Sequence, residues 1–313
     1  MNKIKKIGFI GIGNMGSPMA ARIVQAGFDL TVYDINPEAS EQFLVQHGGK
    51  AAASLTELGH GVEAVITMLP TDRIVNAVIL GEHGVASTLA QGGIVVDMST
   101  SDPLATQALA RALKPRGIEV VDAPVMGGVV FARDGTLDIM AAGEATAVER
   151  VTPLLKSMGR SVIECGTVGS AHALKALANY INACALINVV EAMTIGKRFG
   201  LDAKFMADAL LPMINGRQHP LEKKVIPQIL TRQFGTGMAM GLIAKDIGIA
   251  VNTAKSLGAY APLAECTHAL WTEAVEKFGG LLDQTEVARL WEQATGVTLA
   301  SEAQDASRLH RVE

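Results

Sequence analysis

A doubly wound α/β domain followed by an all-helical domain is the fold class this 313-residue chain predicts. Three observations carry that expectation. An apolar run at residues 5–10 breaks at Gly11-Ile12-Gly13-Asn14-Met15-Gly16 and gives way to "SPMAARIVQAG", whose apolar spacing is helical. Apolar runs and helical segments then alternate to about residue 165. From there the chain reads as helix almost throughout.

The first element is a strand ending at Ile10, followed by the glycine turn and a helix closed by Gly27. In this context Gly11 suits a tight turn, and Gly13 omits the Cβ that would block a pyrophosphate. Gly16 permits close helix–strand packing, and the helix N-terminus offers free N–H groups to an anion. With Asn14 and Met15, these glycines are candidate contacts of a dinucleotide in a Rossmann-type domain. The second strand, "FDLTVYD", ends in Asp34, whose carboxylate accepts from a ribose 2'-OH and repels a 2'-phosphate. No Arg or Lys follows in "INPEAS", so NAD is predicted over NADP. Further strands are "AVITMLP" (64–70), "GIVVDMST" (93–100) and "GIEVVDAPV" (117–125). Each ends in small or polar residues, as where ligands gather at the carboxyl ends of a parallel sheet. "TLDIMAAG" and "SVIECG" are read as extending the same sheet.

The predicted division is a dinucleotide-binding domain over 1–165 and a helical substrate and oligomerisation domain over 166–313, joined by a long interdomain helix. That helix contains "HALKALANYINACALINVV", residues 172–190, in which Lys175 is the one full charge. At about 100° per residue His172, Lys175, Asn179 and Asn182 fall within one arc, a polar stripe on an otherwise apolar helix. A buried ammonium is costly unless it is paired or its pKa falls. A lowered pKa is what a general acid/base near neutral pH requires. Snorkelling to solvent is the alternative for Lys175. Asn179, one turn on, can hold the lysine or a substrate oxygen without adding charge.

Composition narrows the classes. With 49% hydrophobic and 19% charged residues the chain is globular, and a formal net charge of −4 without long basic runs argues against nucleic acid as a partner. Cys165, Cys184 and Cys266 are far apart, and neither they nor the seven histidines show metal-ligand spacing, so no metal is expected. The opening "MNKIKKIGFIGIGNMG" has a basic stretch before an apolar one, as a secretory leader does. Its glycine spacing accounts for it and no cleavage site follows, so a cytoplasmic location is expected. The uncharged stretch 176–190 is shorter than the ~20 residues of a bilayer span and carries Asn179, Asn182 and Asn188, so it is read as a buried helix of a protein without membrane partners. The low aromatic content, 4%, of an apolar chain suggests surface buried between subunits of a homodimer or homotetramer. The tail from 301 is polar and is expected to be mobile.

Four stretches in order, "GFIGIGNMGSPMAARIVQAG", "DAPVMGGVVFARDGTLDIMAAG", "GTVGSAHALKALANY" and "AKDIGIA", resemble the β-hydroxyacid dehydrogenases over essentially the whole chain. The resemblance implies nicotinamide-dependent interconversion of a small 3-hydroxy acid and its semialdehyde or keto form. It implies that Lys175 is the catalytic lysine and that Asn179 helps position the substrate. It sets Lys245 near the nicotinamide end, Leu69 and Pro70 along the adenosine side, and Ser99 and Thr100 near the nicotinamide half, with Ser99 also among the substrate-binding residues. Gly127 and Gly128 would receive the substrate carboxylate through backbone N–H groups.

Three departures lie near the implied substrate site. Met126 stands where the family usually has serine before the glycine pair, Phe131 where a small residue is common, and Ala171-His172 where Gly-Gln is usual. They suggest a pocket for a larger or less polar substrate, with Met126, Phe131 and His172 lining it. Phe131 packing under its loop and His172 bonded to a backbone group are the competing readings. The rival functions are a decarboxylating dehydrogenase of the 6-phosphogluconate type, an imine reductase and a cofactor-binding scaffold without activity. Shortness and the lack of an obvious phosphate site weigh against the first. Retention of Lys175 weighs against the second. Lys175, Asn179 and the glycine pair together weigh against the third.

Overall fold

The computed structural model describes residues 4–198, 200–212, 220–235, 237–256 and 262–300. The polar tail from 301 lies outside the described residues. The chain divides into two compact units, one ending at Ala176 and the other beginning at Leu177.

The first unit alternates strand and helix: β1 (Lys6–Ile10), α1 (Gly16–Gln25), β2 (Asp29–Tyr33), α2 (Pro37–His47), β3 (Lys50–Ala51), α3 (Leu55–Gly59), β4 (Ala64–Thr67), α4 (Asp72–Leu80), β5 (Ile94–Asp97), α5 (Pro103–Leu113) and β6 (Glu119–Asp122). Local chemistry sets the helix starts. Asn36 accepts from Glu38 N with Pro37 at the first helical position of α2, and Asp102 accepts from Leu104 N and Ala105 N with Pro103 following at α5. The strands form a six-stranded sheet of order β3-β2-β1-β4-β5-β6, all parallel. Both faces are buried, which is why the strands read as unbroken apolar runs. Ile7, Phe9, Ile66 and Val96 pack into one core, and Ile10, Val65, Val95 and Val120 into a second on the opposite face.

After β6 come β7 (Val125–Met126), α6 (Val129–Asp134), β8 (Leu137–Ala141), α7 (Ala145–Lys156) and β9 (Gly159–Glu164). The runs at 136–143 and 161–166 do not extend the first sheet, as the sequence suggested. They supply β8 and β9 of a separate three-stranded sheet, β7-β8-β9. The β7–β8 pair is antiparallel, Val125 opposite Ile139. Pro124, which has no N–H to donate to a ladder, lies between β6 and β7, and the run 117–125 is divided between two sheets instead of ending one. The two-residue β3 carries too little apolar pattern to be read from sequence.

Helix α8 (Ser170–Arg198) carries the chain from the first unit into the second. The second unit continues with α9 (Ala203–Leu210), a π-helical segment Leu221–Ile229, α10 (Met240–Ser256), α11 (Pro262–Phe278) and α12 (Ala288–Thr295). Its core gathers Val190, Met193, Ile229, Ile247 and a fully buried Trp271. Helix α8 is not buried on all sides: Leu174, Leu177 and Ile181 are 43%, 51% and 63% exposed. None of the described helices is long and apolar enough to cross a membrane.

Candidate functional site

The strand order reverses between β1 and β4, which in an open parallel sheet opens a crevice at their carboxyl ends. The glycine turn occupies that edge. Gly11 has φ +98°, and a Cβ there would lie 2.4 Å from the carbonyl oxygen of Met68. At Gly16 a Cβ would meet the Gly11 oxygen at 1.8 Å, so only glycine lets α1 approach the turn. Nothing lies within 4 Å of a Cβ at Gly13, so its bare backbone faces open space. Asn14 is exposed and Met15 half-buried. Met15 is the N-cap of α1 and makes no side-chain capping bond; Ser17 N donates to the Gly13 carbonyl at 2.9 Å and Pro18 has no N–H, which leaves the N–H of Gly16 to a ligand. The carboxylate of Asp34 accepts from Ile12 N at 2.7 Å and from Asn36 N at 2.9 Å. It thereby ties the turn to the end of β2, and its remaining lone pairs can serve a ribose hydroxyl. Open turn, uncapped helix start and carboxylate together fit the diphosphate and ribose of a dinucleotide.

The loops after β4 and β5 meet at the same edge. Leu69 is half-buried, Pro70 exposed and Thr100 half-buried. Ser99 corrects the sequence reading, because its side chain is wholly buried and cannot line a substrate pocket. Its hydroxyl accepts from Leu69 N at 2.9 Å and reaches the Thr67 carbonyl at 3.4 Å. It is a strut between two loops.

Beyond β6, Gly127 and Gly128 lie exposed at positive φ, +127° and +80°. A Cβ at Gly127 would approach Phe131 Cβ at 2.8 Å. Phe131 is half-buried against the core and packs under the glycine pair. The Nζ of Lys175, on the first turns of α8, lies 3.0 Å from the sulfur of Met126, a weak acceptor. Ammonium, thioether and exposed glycine turn thus share one corner of the first unit.

His172 follows the competing reading, a ring bonded to a backbone group, and not the pocket-lining one. It is completely buried, with Nδ1 2.8 Å from Thr106 Oγ1 and Nε2 3.1 Å from the Ser99 carbonyl. Both ring nitrogens are engaged inside the unit, so the ring does not line a substrate pocket. Its helical position was right for the stripe, yet the first turn of α8 lies against the sheet edge, where Asp122 accepts from Gly169 N at 2.7 Å and from His172 N at 3.0 Å.

In the second unit, Asn179 Nδ2 donates to Asp246 Oδ2 at 2.7 Å, and Lys245 Nζ lies 2.9 Å from Asp246 Oδ1. Asp246 is buried and was missed from sequence, although it stands inside "AKDIGIA". A lone acidic residue on an apolar helix face was the signal. Its carboxylate orients Asn179 by taking one of the two amide N–H donors, which leaves the second N–H and the amide oxygen for other partners. Next to Asn179, burial pushes Tyr180 up to about 12, so its hydroxyl keeps its proton at neutral pH. Among the described residues no group of His, Cys, Asp and Glu could hold a metal ion.

Fold and crevice define a nicotinamide-dinucleotide-binding oxidoreductase scaffold. Residues 6–168 match the family described as the NAD binding domain of 6-phosphogluconate dehydrogenase. Residues 169–291 match that described as NAD-binding of NADP-dependent 3-hydroxyisobutyrate dehydrogenase. The chain belongs to the β-hydroxyacid dehydrogenase family, oxidoreductases acting on CH–OH groups with a nicotinamide cofactor. It is similar to 2-(hydroxymethyl)glutarate dehydrogenase of Eubacterium barkeri, with 32% identity over 96% of this chain and 99% of the relative. It is similar to NAD-dependent L-serine dehydrogenase of Pseudomonas aeruginosa, with 31% identity over 94% and 100%. Among solved structures it resembles Mycobacterium tuberculosis 3-hydroxyisobutyrate dehydrogenase with L-serine, at TM-score 0.80 and 27% identity over 92% of this chain and 99% of that one.

Proposed function

We propose that this protein oxidises a small 3-hydroxy acid to its semialdehyde or keto form, or runs the reverse reduction, with NAD and with Lys175 as general acid/base. The observation that carries it is Lys175 Nζ beside the exposed Gly127-Gly128 turn, on the loop that follows the dinucleotide-type sheet edge. A bound nicotinamide dinucleotide supplies the two-electron acceptor for the carbinol hydrogen. Gly11, Gly13, Asn14, Met15 and Gly16 hold its diphosphate and Asp34 its ribose, with Leu69, Pro70 and Thr100 along it and Lys245 towards the nicotinamide. The backbone N–H groups of Gly127 and Gly128 receive the carboxylate. The second N–H of Asn179 Nδ2 donates to the oxygen of the substrate hydroxyl. Nζ of Lys175, as the neutral amine, takes the hydroxyl proton while the C–O bond becomes a carbonyl, and returns it in reduction.

Met126 supports a substrate bulkier or less polar beside its carboxylate than 3-hydroxyisobutyrate, because a thioether replaces a hydroxyl there. The preference for NAD rests on Asp34. The three free thiols support a cytoplasmic setting, and exposed Leu174, Leu177 and Ile181 support a homodimer or homotetramer.

The test is reduction of NAD, followed by absorbance, over a panel of 3-hydroxy acids, 2,3-dihydroxy acids and simple alcohols, repeated with NADP. We expect a 3-hydroxy acid to be oxidised, NAD to be preferred, and simple alcohols to be left unchanged. Release of carbon dioxide from a sugar acid, or turnover confined to imines, would overturn the assignment.

A further inference from the structure

Among the buried titratable side chains that the proton-transfer chemistry leaves unused is His172. A carbonyl oxygen only accepts, so the 3.1 Å approach of Nε2 to the Ser99 oxygen sets a proton on Nε2. Thr106 Oγ1 serves Nδ1 at 2.8 Å. Asp97 Oδ2 lies 3.8 Å from Nε2. These partners come from different elements along the carboxyl edge of the parallel sheet: Asp97 ends β5, Ser99 follows it, and Thr106 lies in α5.

From Asp97 the hydrogen bonds continue to the loop after β4. Its Oδ1 accepts from Thr67 Oγ1 at 2.8 Å and from Ser99 N at 3.0 Å. Its Oδ2 accepts from Ser101 Oγ at 2.7 Å. Ser99 Oγ in turn accepts from Leu69 N at 2.9 Å. Asp97, Ser99, Ser101 and His172 are each at most 1% exposed. A connected polar network this dry is rigid, because each member that moves leaves a buried group unsatisfied. It runs from the loops on the cofactor side of the crevice to the first turn of α8, one turn before Lys175.

We propose that His172 is a positioning residue for proton transfer, locking the first turn of α8 to the loops after β4 and β5 and thereby setting Lys175 Nζ against the dinucleotide side of the site. This rests on Lys175 as the general acid/base. Helical hydrogen bonds carry a displacement at His172 to the next turn, and a misplacement of about 1 Å at a reacting group costs on the order of a hundredfold in rate. Asp122 holds the same turn through the backbone N–H groups of Gly169 and His172, bonds that survive substitution of the imidazole. The ring's contribution is therefore separable from that of the helix cap.

The experiment compares His172→Ala, His172→Gln and Thr106→Val with wild type by two readouts. The first is competitive amine labelling of Lys175 against pH, read by mass spectrometry, which needs no turnover. The second is kcat, the KM for NAD and the solvent isotope effect on kcat. A glutamine side chain supplies one donor for the Ser99 carbonyl and one acceptor for Thr106, so it is the conservative replacement. For His172→Ala we expect a shifted Lys175 labelling profile, kcat lower by about ten- to a hundredfold, a larger solvent isotope effect and an unchanged KM for NAD. His172→Gln should recover most of the loss, and Thr106→Val should fall between.

An unshifted Lys175 profile in all three variants overturns the proposal, as does a glutamine variant no better than alanine. A loss of kcat that tracks thermal stability with an unchanged isotope effect also overturns it. If His172→Ala does not fold, the glutamine and Thr106 variants carry the comparison. Should wild type and Lys175→Ala turn over equally, the general-base reading has failed, and the labelling profiles still decide whether His172 sets the lysine.

Discussion

Met126 brings a sulfur to within 3.0 Å of the Lys175 ammonium, at the corner where the substrate carboxylate is proposed to bind. A hydroxyl in its place would donate to that carboxylate, a bond worth roughly 1.5–3 kcal/mol when one partner is charged. Met126→Ser should lower KM for small 3-hydroxy acids about tenfold, and less for acids with apolar substituents; steady-state kinetics over the panel reads this, and an equal effect on all substrates would contradict it. Asp34 makes a second case at this scale. Its carboxylate braces the glycine turn and repels a 2'-phosphate, so Asp34→Ala should weaken NAD and improve NADP, as measured by fluorescence titration of the reduced cofactors. Equal losses for both would mean that only the brace matters.

At the level of elements, the glycine turn is the most legible part of the molecule, since Gly11 and Gly16 answer to backbone requirements that no other residue meets and Gly13 keeps its backbone bare towards open space. Gly16→Ala should abolish cofactor binding and lower the thermal midpoint, because a methyl 1.8 Å from the Gly11 oxygen separates α1 from the turn. Unchanged cofactor affinity in that variant would contradict this packing role. The alternation of strands and helices was equally legible, because a sheet buried on both faces writes each strand as an apolar run. The partition of strands between two sheets was not, since periodicity carries no pairing partner. For the same reason the polar stripe on α8 groups His172 with Lys175 and Asn179 and does not decide between a pocket-lining and a backbone-bonded imidazole. Helical spacing gives a residue's direction on the helix, whereas its neighbours depend on the loops after β5 and β6, which are distant in sequence. Ser99 is misread and Asp246 missed on the same ground: one polar side chain among apolar residues reads alike whether it meets a ligand or a buried protein group.

For the molecule as a whole, the chain divides into two compact units within α8. In the second unit burial lowers Lys224 from 10.5 to about 8, partly opposed by the charge of Asp283, and its ammonium donates to Gln284. Between these values the unfolded chain binds a proton that the folded chain does not, so the unit gains stability as pH rises from about 8 toward 10.5. Below about 8 the cost of the buried charge is fully present. Denaturant unfolding of wild type against Lys224→Met should show that slope only in wild type, and identical slopes would contradict the buried charge. The exposed leucines and isoleucine of α8 predict a solution mass of at least two chains by light scattering, reduced by Leu177→Glu with Ile181→Glu; a monomeric wild type would contradict it. The claim on which the account turns is that Lys175 moves the substrate proton. The decisive measurement is kcat of Lys175→Ala on the best 3-hydroxy acid, with equilibrium binding of NADH to the same preparation. We expect kcat lower by about 10²–10⁴-fold with NADH affinity unchanged. Turnover equal to wild type, or a loss that follows lost NADH binding, would contradict it.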